Sequence, residues 1–287
     1  MKDRVAIVTG ANTGIGLETA RALAERGMTV VMCSRDAARG QAAIDDVRAS
    51  TKSGSLELCA LDLGSLASVR AATSEILSRH PRVHVLVNNA GLVLSDRRTT
   101  TDGFEATFGV NHLGHFLFTH GLLSALEEGA REAGEPSRIV NVSSDAHRMS
   151  RGLSWDDLGC ERRKYRELSV YADSKLANIL FTRELARRFE GRGVVAHAVH
   201  PGVVGSRFGW DGDTRGWFAF GVRLMKPFLL TPAKGARTSI HAATAEDAAK
   251  ASGLYWTRSR PAKPSRAARD DEAAKRLWQV SEQLVGV

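Results

Sequence analysis

The sequence has few cysteines, and none is placed for a disulfide framework or a structural metal. The three thiols, Cys33, Cys59 and Cys160, are odd in number and contain no Cys-x-x-Cys pair. Cys33 and Cys59 lie in apolar runs, where a thiol usually serves as a small buried hydrophobe. We therefore predict no metal site and a reducing, cytoplasmic location.

Long apolar runs are also absent, as is a targeting segment. No run approaches the roughly 18 residues that a membrane-spanning helix requires. The N-terminal segment lacks the apolar stretch and small-residue cleavage site of a signal peptide, and a strand candidate begins by Val5. We expect a protein without an integral membrane segment.

Basic residues exceed acidic ones without forming a face for nucleic acid. The formal charge is +8, but the 40 Lys and Arg residues are interspersed with 32 Asp and Glu residues. One dense basic tract contains Arg258, Arg260, Lys263, Arg266 and Arg269, interrupted by Pro261 and Pro264. We interpret it as a solvated loop, with contact to an anionic surface or substrate as the alternative, and we predict no nucleic-acid partner.

What the sequence does contain is a regular alternation of short apolar runs and helical stretches. The strand candidates are Val5–Thr9, Thr29–Cys33, Leu56–Leu61, Val83–Asn88, Arg138–Ser143, Val194–His200 and Leu254–Trp256. Helix candidates lie between them at about 14–26, 37–49, 65–79, 101–130, 169–190, 232–245 and 271–284. This alternation predicts an α/β fold with a doubly wound parallel sheet covered by helices on both faces. No linker or repeat divides the chain, so we predict one domain over residues 1–287.

A glycine-rich turn directly follows the first strand candidate. Three glycines allow a tight turn and a close backbone approach to a pyrophosphate, while the following helix presents free N–H groups. The strand–turn–helix context supports a Rossmann-type dinucleotide site. The predicted contacts from this turn are Gly10, Asn12, Thr13, Gly14, Ile15 and Gly16.

The end of the second strand candidate predicts which dinucleotide binds. An acidic residue there would bind the ribose hydroxyls, but the strand ends in Ser34-Arg35, which suits a 2′-phosphate. Asp36 follows, and it either pairs with Arg35 or takes a ribose hydroxyl. We predict NADP as the cofactor, with NAD as the less favoured alternative.

A pair of residues suited to proton transfer lies in the second half. Tyr171 and Lys175 are four residues apart in a helix candidate, so their side chains share one face. A cation beside a phenol lowers the pKa of the phenol and makes it usable as an acid or base. Together with the nucleotide turn, the pair predicts hydride chemistry.

These motifs, in this order, resemble the short-chain dehydrogenase/reductase family. The resemblance rests on Thr9-Gly-x-x-x-Gly-x-Gly16, Asn88-Asn-Ala-Gly91, Ser144 and Tyr171-x-x-x-Lys175. Further segments resemble its retinol dehydrogenase-like branch: Val110–Thr119, Arg138–Ser144, Ser174–Leu185, His200–Val204 and Leu277-Trp278. The membrane anchor of that branch is absent from this sequence, so we expect a soluble relative.

The resemblance implies a role for each catalytic candidate. Tyr171 exchanges a proton with the substrate oxygen, and Lys175 holds the nicotinamide ribose. Ser144, rather than its neighbour Ser143, bonds the substrate oxygen, and Asn111 holds a water that links Lys175 to solvent. Further implied cofactor contacts are Asp62, Leu63, Asn88, Ala90, Gly91, Pro201, Gly202, Val204 and Ser206. We interpret His112, His115, His120 and His147 as structural residues.

Aromatic residues are concentrated between Phe208 and Phe228, within a segment of about 207–231 that we interpret as a lid over the cleft. Trp210, Trp217 and Phe218 are its candidate substrate contacts, and an amphipathic helix with inward aromatics is the alternative. The polar segment from Trp155 to Leu168 is expected to form a surface turn or helix that obstructs dimerisation. Monomer and homodimer therefore both remain open.

The predicted function is NADP(H)-dependent interconversion of an apolar alcohol with its aldehyde or ketone. A biosynthetic ketoreductase or a sterol dehydrogenase is the alternative among enzymes. A regulatory protein that senses NADP without turnover is the alternative from another class. Presence of Asn111, Ser144, Tyr171 and Lys175 favours an enzyme.

Overall fold

The structure is a computed structural model that describes residues 2–204 and 229–287. Most of the predicted lid lies outside the described residues. So do the candidate cofactor contact Ser206 and the candidate substrate contacts Trp210, Trp217 and Phe218. The fold and site below are those of the described residues.

Eight strands of the described residues form one sheet. They are β1 Val5–Thr9, β2 Thr29–Ser34, β3 Ser55–Ala60, β4 Val85–Asn88, β5 Ser137–Val142, β6 Val194–His200, β7 Leu254–Thr257 and β8 Arg260–Ala262. Their order is β3-β2-β1-β4-β5-β6-β7-β8, and all pairings are parallel except β7 with β8. The strand order reverses between β1 and β4, and ligands of such sheets bind at the carboxyl ends of the strands beside this point.

Helices connect the strands and cover both faces of the sheet. They are α1 Gly14–Ala24, α2 Ala37–Ser50, α3 Leu66–Arg79, α4, α5 Glu167–Arg188, α6 Pro232–Thr244 and α7 Asp271–Val285. Helix α4 runs through three consecutive segments, Ala106–Phe108, the π-helical Gly109–Leu113 and Gly114–Ala133. The predicted doubly wound fold is confirmed.

Two apolar cores lie on opposite faces of the sheet. One contains side chains of α1, α2 and α6, such as Leu23, Ile44 and Ala242. The other contains side chains of α3, α4, α5 and α7, such as Phe116 and Trp278. The strands are rich in Val and Ile because both of their faces are buried by helices.

The sequence interpretation of the late basic tract was incomplete. Part of the tract, Arg260–Ala262, is the edge strand β8, which a two-residue turn joins to β7. Pro261 is tolerated there because an edge strand has one unpaired side. Helix α4 begins at Ala106 rather than near residue 101, because the carboxylate of Glu105 caps its first amides. In the expected surface segment, Trp155 to Leu168, residues 155–166 contain turns and no helix or strand, and α5 begins at Glu167.

Candidate active site

A cleft of about 400 Å³ opens at the carboxyl ends of the central strands. Its walls are the segments that follow β1, β2, β3, β4, β5 and β6, together with one face of α5. The predicted site residues that line it are Gly10, Asn12, Thr13, Gly14, Ile15, Ser34, Arg35, Asp62, Leu63, Ala90, Gly91, Ser144, Tyr171, Lys175, Pro201, Gly202 and Val204. The fold thus gathers into one cavity residues that are up to two hundred positions apart in the sequence.

The turn after β1 is shaped for a phosphate group. Gly10 has a positive φ of 62°, and a Cβ on Gly16 would lie 2.3 Å from the carbonyl oxygen of Gly10. Gly16 therefore allows the first turn of α1 to pack onto the glycine turn. The side chain of the N-cap residue Thr13 makes no capping hydrogen bond, so it does not occupy the first amides of α1. A helix N-terminus of this kind attracts anions.

Asn88 does not lie where the sequence interpretation put it. Its side chain is 2% exposed and donates to Thr119 Oγ1 and Asn141 Oδ1, both at 2.8 Å, within the protein core. The neighbouring Asn89 lines the cleft instead, and its Nδ2 donates to the carbonyl oxygen of Thr9 at 2.8 Å. Alternation along β4 explains the exchange, since consecutive side chains point to opposite sides.

At the far end of the cleft, the carboxylate of Asp36 is committed to helix α2. One oxygen accepts the Arg39 amide at 2.9 Å as the N-cap, and the other lies 3.6 Å from Arg39 Nε. The ion pair described for Asp36 is thus with Arg39. The sequence analysis had offered Arg35 as its partner. The Ser34 hydroxyl donates to the Asp36 carbonyl at 2.8 Å and holds the same turn.

Arg39 is a cleft residue that the sequence analysis did not include. It lines the cavity together with Arg35, which precedes the N-cap residue of α2. The i, i+4 spacing of the two arginines across the start of α2 was the available sequence signal. Two guanidinium groups therefore border this end of the cleft.

The proton-transfer candidates meet at the other end. Tyr171 is hydrogen-bonded to Ser144, and Lys175 Nζ lies 5.5 Å from the centre of the Tyr171 ring. Lys175 Nζ also donates to the Val142 carbonyl oxygen at 3.1 Å. Ser143 is buried and donates its hydroxyl to the Lys175 carbonyl at 2.7 Å. Ser144 is therefore the serine of this pair whose hydroxyl reaches the phenol.

The expected lowering of the tyrosine pKa is wrong in this structure. Burial raises the pKa of Tyr171 to about 12, and the hydrogen bond with Ser144 opposes this only in part. Burial also lowers the pKa of Lys175 to about 8. The physical reason is that desolvation disfavours the charged form of each group.

Asn111 lies behind the cleft wall in the π-helical part of α4 and is 0% exposed. Its Oδ1 accepts the Leu92 amide at 2.8 Å, and its Nδ2 donates to the Leu92 carbonyl at 2.9 Å and to Ser174 Oγ at 3.0 Å. Ser174 Oγ in turn donates to the Tyr171 carbonyl at 2.7 Å. Asn111 therefore links the loop after β4 to the helix that carries Tyr171.

Comparisons with known proteins identify the family of the chain. The family model described as short chain dehydrogenase matches residues 4–155. Retinol dehydrogenase 12 of Mus musculus is 45% identical over 286 residues, which are 99% of this chain and 87% of the mouse protein. The chain belongs to the short-chain dehydrogenase family. The resemblance to the retinol dehydrogenase-like branch is likewise confirmed.

Solved structures place the fold in the same family. An uncharacterised protein from Mycobacterium paratuberculosis is 36% identical, with a TM-score of 0.79 over 100% of this chain and 94% of that chain. RhlG from Pseudomonas aeruginosa, solved as an NADP active-site complex, is 25% identical, with a TM-score of 0.70 over 89% and 94% of the two chains. As a short-chain dehydrogenase, the protein is an oxidoreductase that uses a nicotinamide cofactor and acts on CH–OH groups.

Residues 2–204 and 229–287 lack both a membrane-spanning helix and a cluster of metal ligands. Within these ranges, the helices are too short or too polar to span a bilayer. The same ranges contain no cluster of three His, Cys, Asp or Glu side chains that could hold a metal ion.

Proposed function

We propose that this short-chain dehydrogenase uses NADP(H) to interconvert an apolar alcohol with its aldehyde or ketone, and that it works in the cytoplasm. The observation that carries the proposal is the placement of two arginines and one Ser–Tyr–Lys group at opposite ends of a single cleft. The free, buried thiols of Cys33, Cys59 and Cys160 suit a reducing compartment.

The two arginines support NADP rather than NAD. Arg35 and Arg39 both border the cleft after β2, where the adenosine ribose binds in folds of this type. A guanidinium group pairs bidentately with a phosphate. Because Asp36 caps α2, it is already engaged and does not have to accept ribose hydroxyls.

The residues at the other end support a division of labour in proton transfer. When bound, the cofactor supplies or accepts the hydride. Tyr171 donates the proton in the reduction direction, because a phenol with a pKa of about 12 is fully protonated at neutral pH. Ser144 holds the substrate oxygen next to the phenol, and Lys175 holds the nicotinamide ribose. Asn111 is proposed to act as the fourth member through its link to the Tyr171 helix.

The remaining proposed contacts follow the cleft lining. Asp62 and Leu63 are proposed to contact the adenine, and Ala90 and Gly91 the adenosine ribose. Pro201, Gly202 and Val204 are proposed to contact the nicotinamide. All of these residues line the cleft. An apolar substrate is supported by the cleft residues Leu92 and Val93 and by the name of the mouse relative, retinol dehydrogenase 12.

The decisive experiment follows NADPH and NADH oxidation by the purified protein, with a panel of apolar aldehydes and ketones, at the nicotinamide absorbance. We expect turnover with NADPH and much less with NADH. A protein that binds NADP but reduces no member of the panel would support the NADP-sensing alternative.

The first prediction concerns Arg35→Ala. Losing a charge-assisted pair with the 2′-phosphate should weaken NADPH binding by about 1.5–3 kcal/mol and leave NADH binding nearly unchanged. The dissociation constants of both cofactors measure this, with Arg131→Ala on the outer surface of α4 as a control of equal charge. If Arg35→Ala weakened the binding of NADPH and NADH equally, Arg35 would not bind the 2′-phosphate.

A further inference from the structure

His115 occupies a position that the catalytic roles above do not use. Its side chain is 3% exposed and lies one helical turn after Asn111 in α4. Its Nε2 is 2.9 Å from Thr9 Oγ1, and its Nδ1 is 3.2 Å from the Asn111 carbonyl oxygen. The ring therefore bridges the strand that precedes the nucleotide turn and the π-helical segment of α4.

The partners determine which ring nitrogen carries the proton. A carbonyl oxygen can only accept, so Nδ1 is the protonated nitrogen and donates to Asn111. Nε2 then accepts the hydrogen of the Thr9 hydroxyl at 2.9 Å, and the Val87 carbonyl oxygen, at 3.4 Å, is the more distant acceptor for the same hydrogen. The lone pairs of Thr9 Oγ1 accept the amides of Asn89 at 2.9 Å and Ala90 at 3.0 Å. Every hydrogen-bonding group in this set has a consistent partner.

These hydrogen bonds, together with the covalent structure of Asn111, form a path from the nucleotide turn to the backbone of Tyr171. Thr9 directly precedes Gly10 of the nucleotide turn, and the amide of the cleft residue Ala90 bonds to its hydroxyl. From Asn111 the path continues through its side chain to Ser174 Oγ and on to the Tyr171 carbonyl. His115 joins Thr9 and the nucleotide turn to this path, in addition to the link that the Asn111 side chain makes with Leu92.

We propose that His115 is a positioning residue that, as a neutral ring protonated on Nδ1, couples the nucleotide turn to the Tyr171 helix. This role rests on the proposed oxidoreductase function. Burial and the positive charge of Lys175 lower the pKa of His115 to about 3, which agrees with a ring that stays neutral. A charged ring would carry a proton on both nitrogens, so Nε2 could no longer accept the hydrogen of the Thr9 hydroxyl.

The tautomer can be observed without turnover. We suggest full-length protein labelled with ¹⁵N-histidine and with ¹³C at the hydroxyl-bearing carbon of tyrosine, with His115→Gln to assign the histidine signal. Long-range proton–nitrogen correlations should show His115 neutral and protonated on Nδ1 at neutral pH. A ring protonated on Nε2, or a charged ring, would overturn the proposal.

Coupling is tested with two variants of Thr9. Thr9→Val removes the hydroxyl, whereas Thr9→Ser keeps it, so only Thr9→Val should shift the Tyr171 signal. The chain contains three tyrosines, so Tyr165 and Tyr255 serve as internal references. A Tyr171 signal that is unchanged in Thr9→Val would show that the path does not couple the two ends. Because this measurement needs no substrate, it separates failure of the coupling from failure of the proposed activity.

Kinetics provide the second readout. Thr9→Val and His115→Gln should each lower kcat by on the order of tenfold, the size expected for one lost buried hydrogen bond, and Thr9→Ser should restore it. The double variant should lose no more than the worse single variant, since both break one path. His112→Gln is the matched control: His112 is buried in the same π-helical segment but bonds Ser281 Oγ at 2.9 Å in α7. Equal losses of kcat per folded protein in the control would overturn the proposed role.

Discussion

The environment of Tyr171 sets what its phenol can do. The ring stands beside a cation but in a desolvated part of the cleft, and burial keeps its pKa at about 12. The phenol therefore holds its proton at neutral pH, which suits donation to the oxygen of a carbonyl under reduction. In alcohol oxidation the proposed role requires Tyr171 to lose that proton, which a positive charge beside the ring favours.

Tyr171→Phe should keep the fold and NADP binding nearly intact and lower turnover by about 10²–10⁴-fold. The phenylalanine ring fills the same space, but it has no proton to give. Turnover with a reactive aldehyde measures the loss, and the free energy of unfolding in urea serves as the control for folding. Wild-type turnover in Tyr171→Phe would show that the proton comes from another group.

Lys175 should take up a proton when the cofactor binds. In the structure its pKa is lowered to about 8 by burial, so above this pH the side chain is mostly an uncharged amine. Hydrogen bonds to ribose hydroxyls and the negative charge of NADP favour the charged form and raise that pKa. At about pH 9, where the free side chain is mostly neutral, we expect NADP binding to be accompanied by proton uptake. Calorimetric titration in buffers of different ionisation enthalpy measures it, and Lys175→Met should abolish it.

The lowered pKa of Lys175 also makes the stability of the fold depend on pH. An unfolded lysine binds its proton up to about pH 10.4, whereas the folded one releases it near pH 8. Between these values the unfolded chain holds more protons, so this group makes the fold more stable as the pH rises. Tyr171 acts in the opposite direction above about pH 10, because its folded pKa is raised. Lys175→Met should remove the first of these two slopes.

At the scale of single elements, the start of α2 affects both the stability of the helix and the proposed preference for NADP. Asp36 caps the helix through the Arg39 amide and also places a negative charge near Arg39 Nε. The helix gains a cap, while a guanidinium group at the cleft is partly neutralised. The two effects can be separated, because asparagine caps helices as well as aspartate does.

Asp36→Asn should therefore tighten NADP binding and change stability little, because the cap remains and the charge is gone. Asp36→Ala should also remove the charge, but it loses the cap and about 1 kcal/mol of stability. Dissociation constants for NADP and NAD, together with urea unfolding, distinguish the two variants. Weaker NADP binding in Asp36→Asn would mean that the carboxylate itself contacts the cofactor.

The elements also differ in how well a sequence predicts them. Strands β1 to β7 were predictable because each is a short, largely apolar run, and most of them are rich in β-branched residues. Strand β8 was not, since three residues around Pro261 pair with β7 only in the folded chain. The motif residues of the cleft were predictable through their spacing. The exchange of Asn88 for Asn89 and the cleft position of Arg39 each left a signal in the local spacing, whereas the raised pKa of Tyr171 depends on burial, which no local pattern encodes.

At the scale of the whole molecule, the C-terminal helix completes one of the two cores. Trp278 of α7 is 3% exposed, and its ring centre lies 5.0 Å from that of Phe116 in α4 and 5.8 Å from that of Phe181 in α5. The guanidinium carbon of Arg188 lies 4.4 Å from the centre of the indole ring. Helix α7 thus covers surfaces of α4 and α5 with the chain's own residues, a position that a dimer partner cannot also occupy.

Trp278→Ala should destabilise the molecule by about 3–5 kcal/mol, because the indole ring leaves a cavity between three helices. Trp278→Phe keeps most of the contact area and should cost clearly less. Trp278 is not among the residues that line the cleft, so turnover per folded molecule should stay close to that of the original protein in both variants. Urea unfolding measures the free energies, and the cofactor dissociation constant measured on the folded fraction checks the cleft. If Trp278→Ala lowered NADP affinity and turnover at full folding, the helix would have to act on the active site through α4 and α5, and its role would extend beyond stabilising the core.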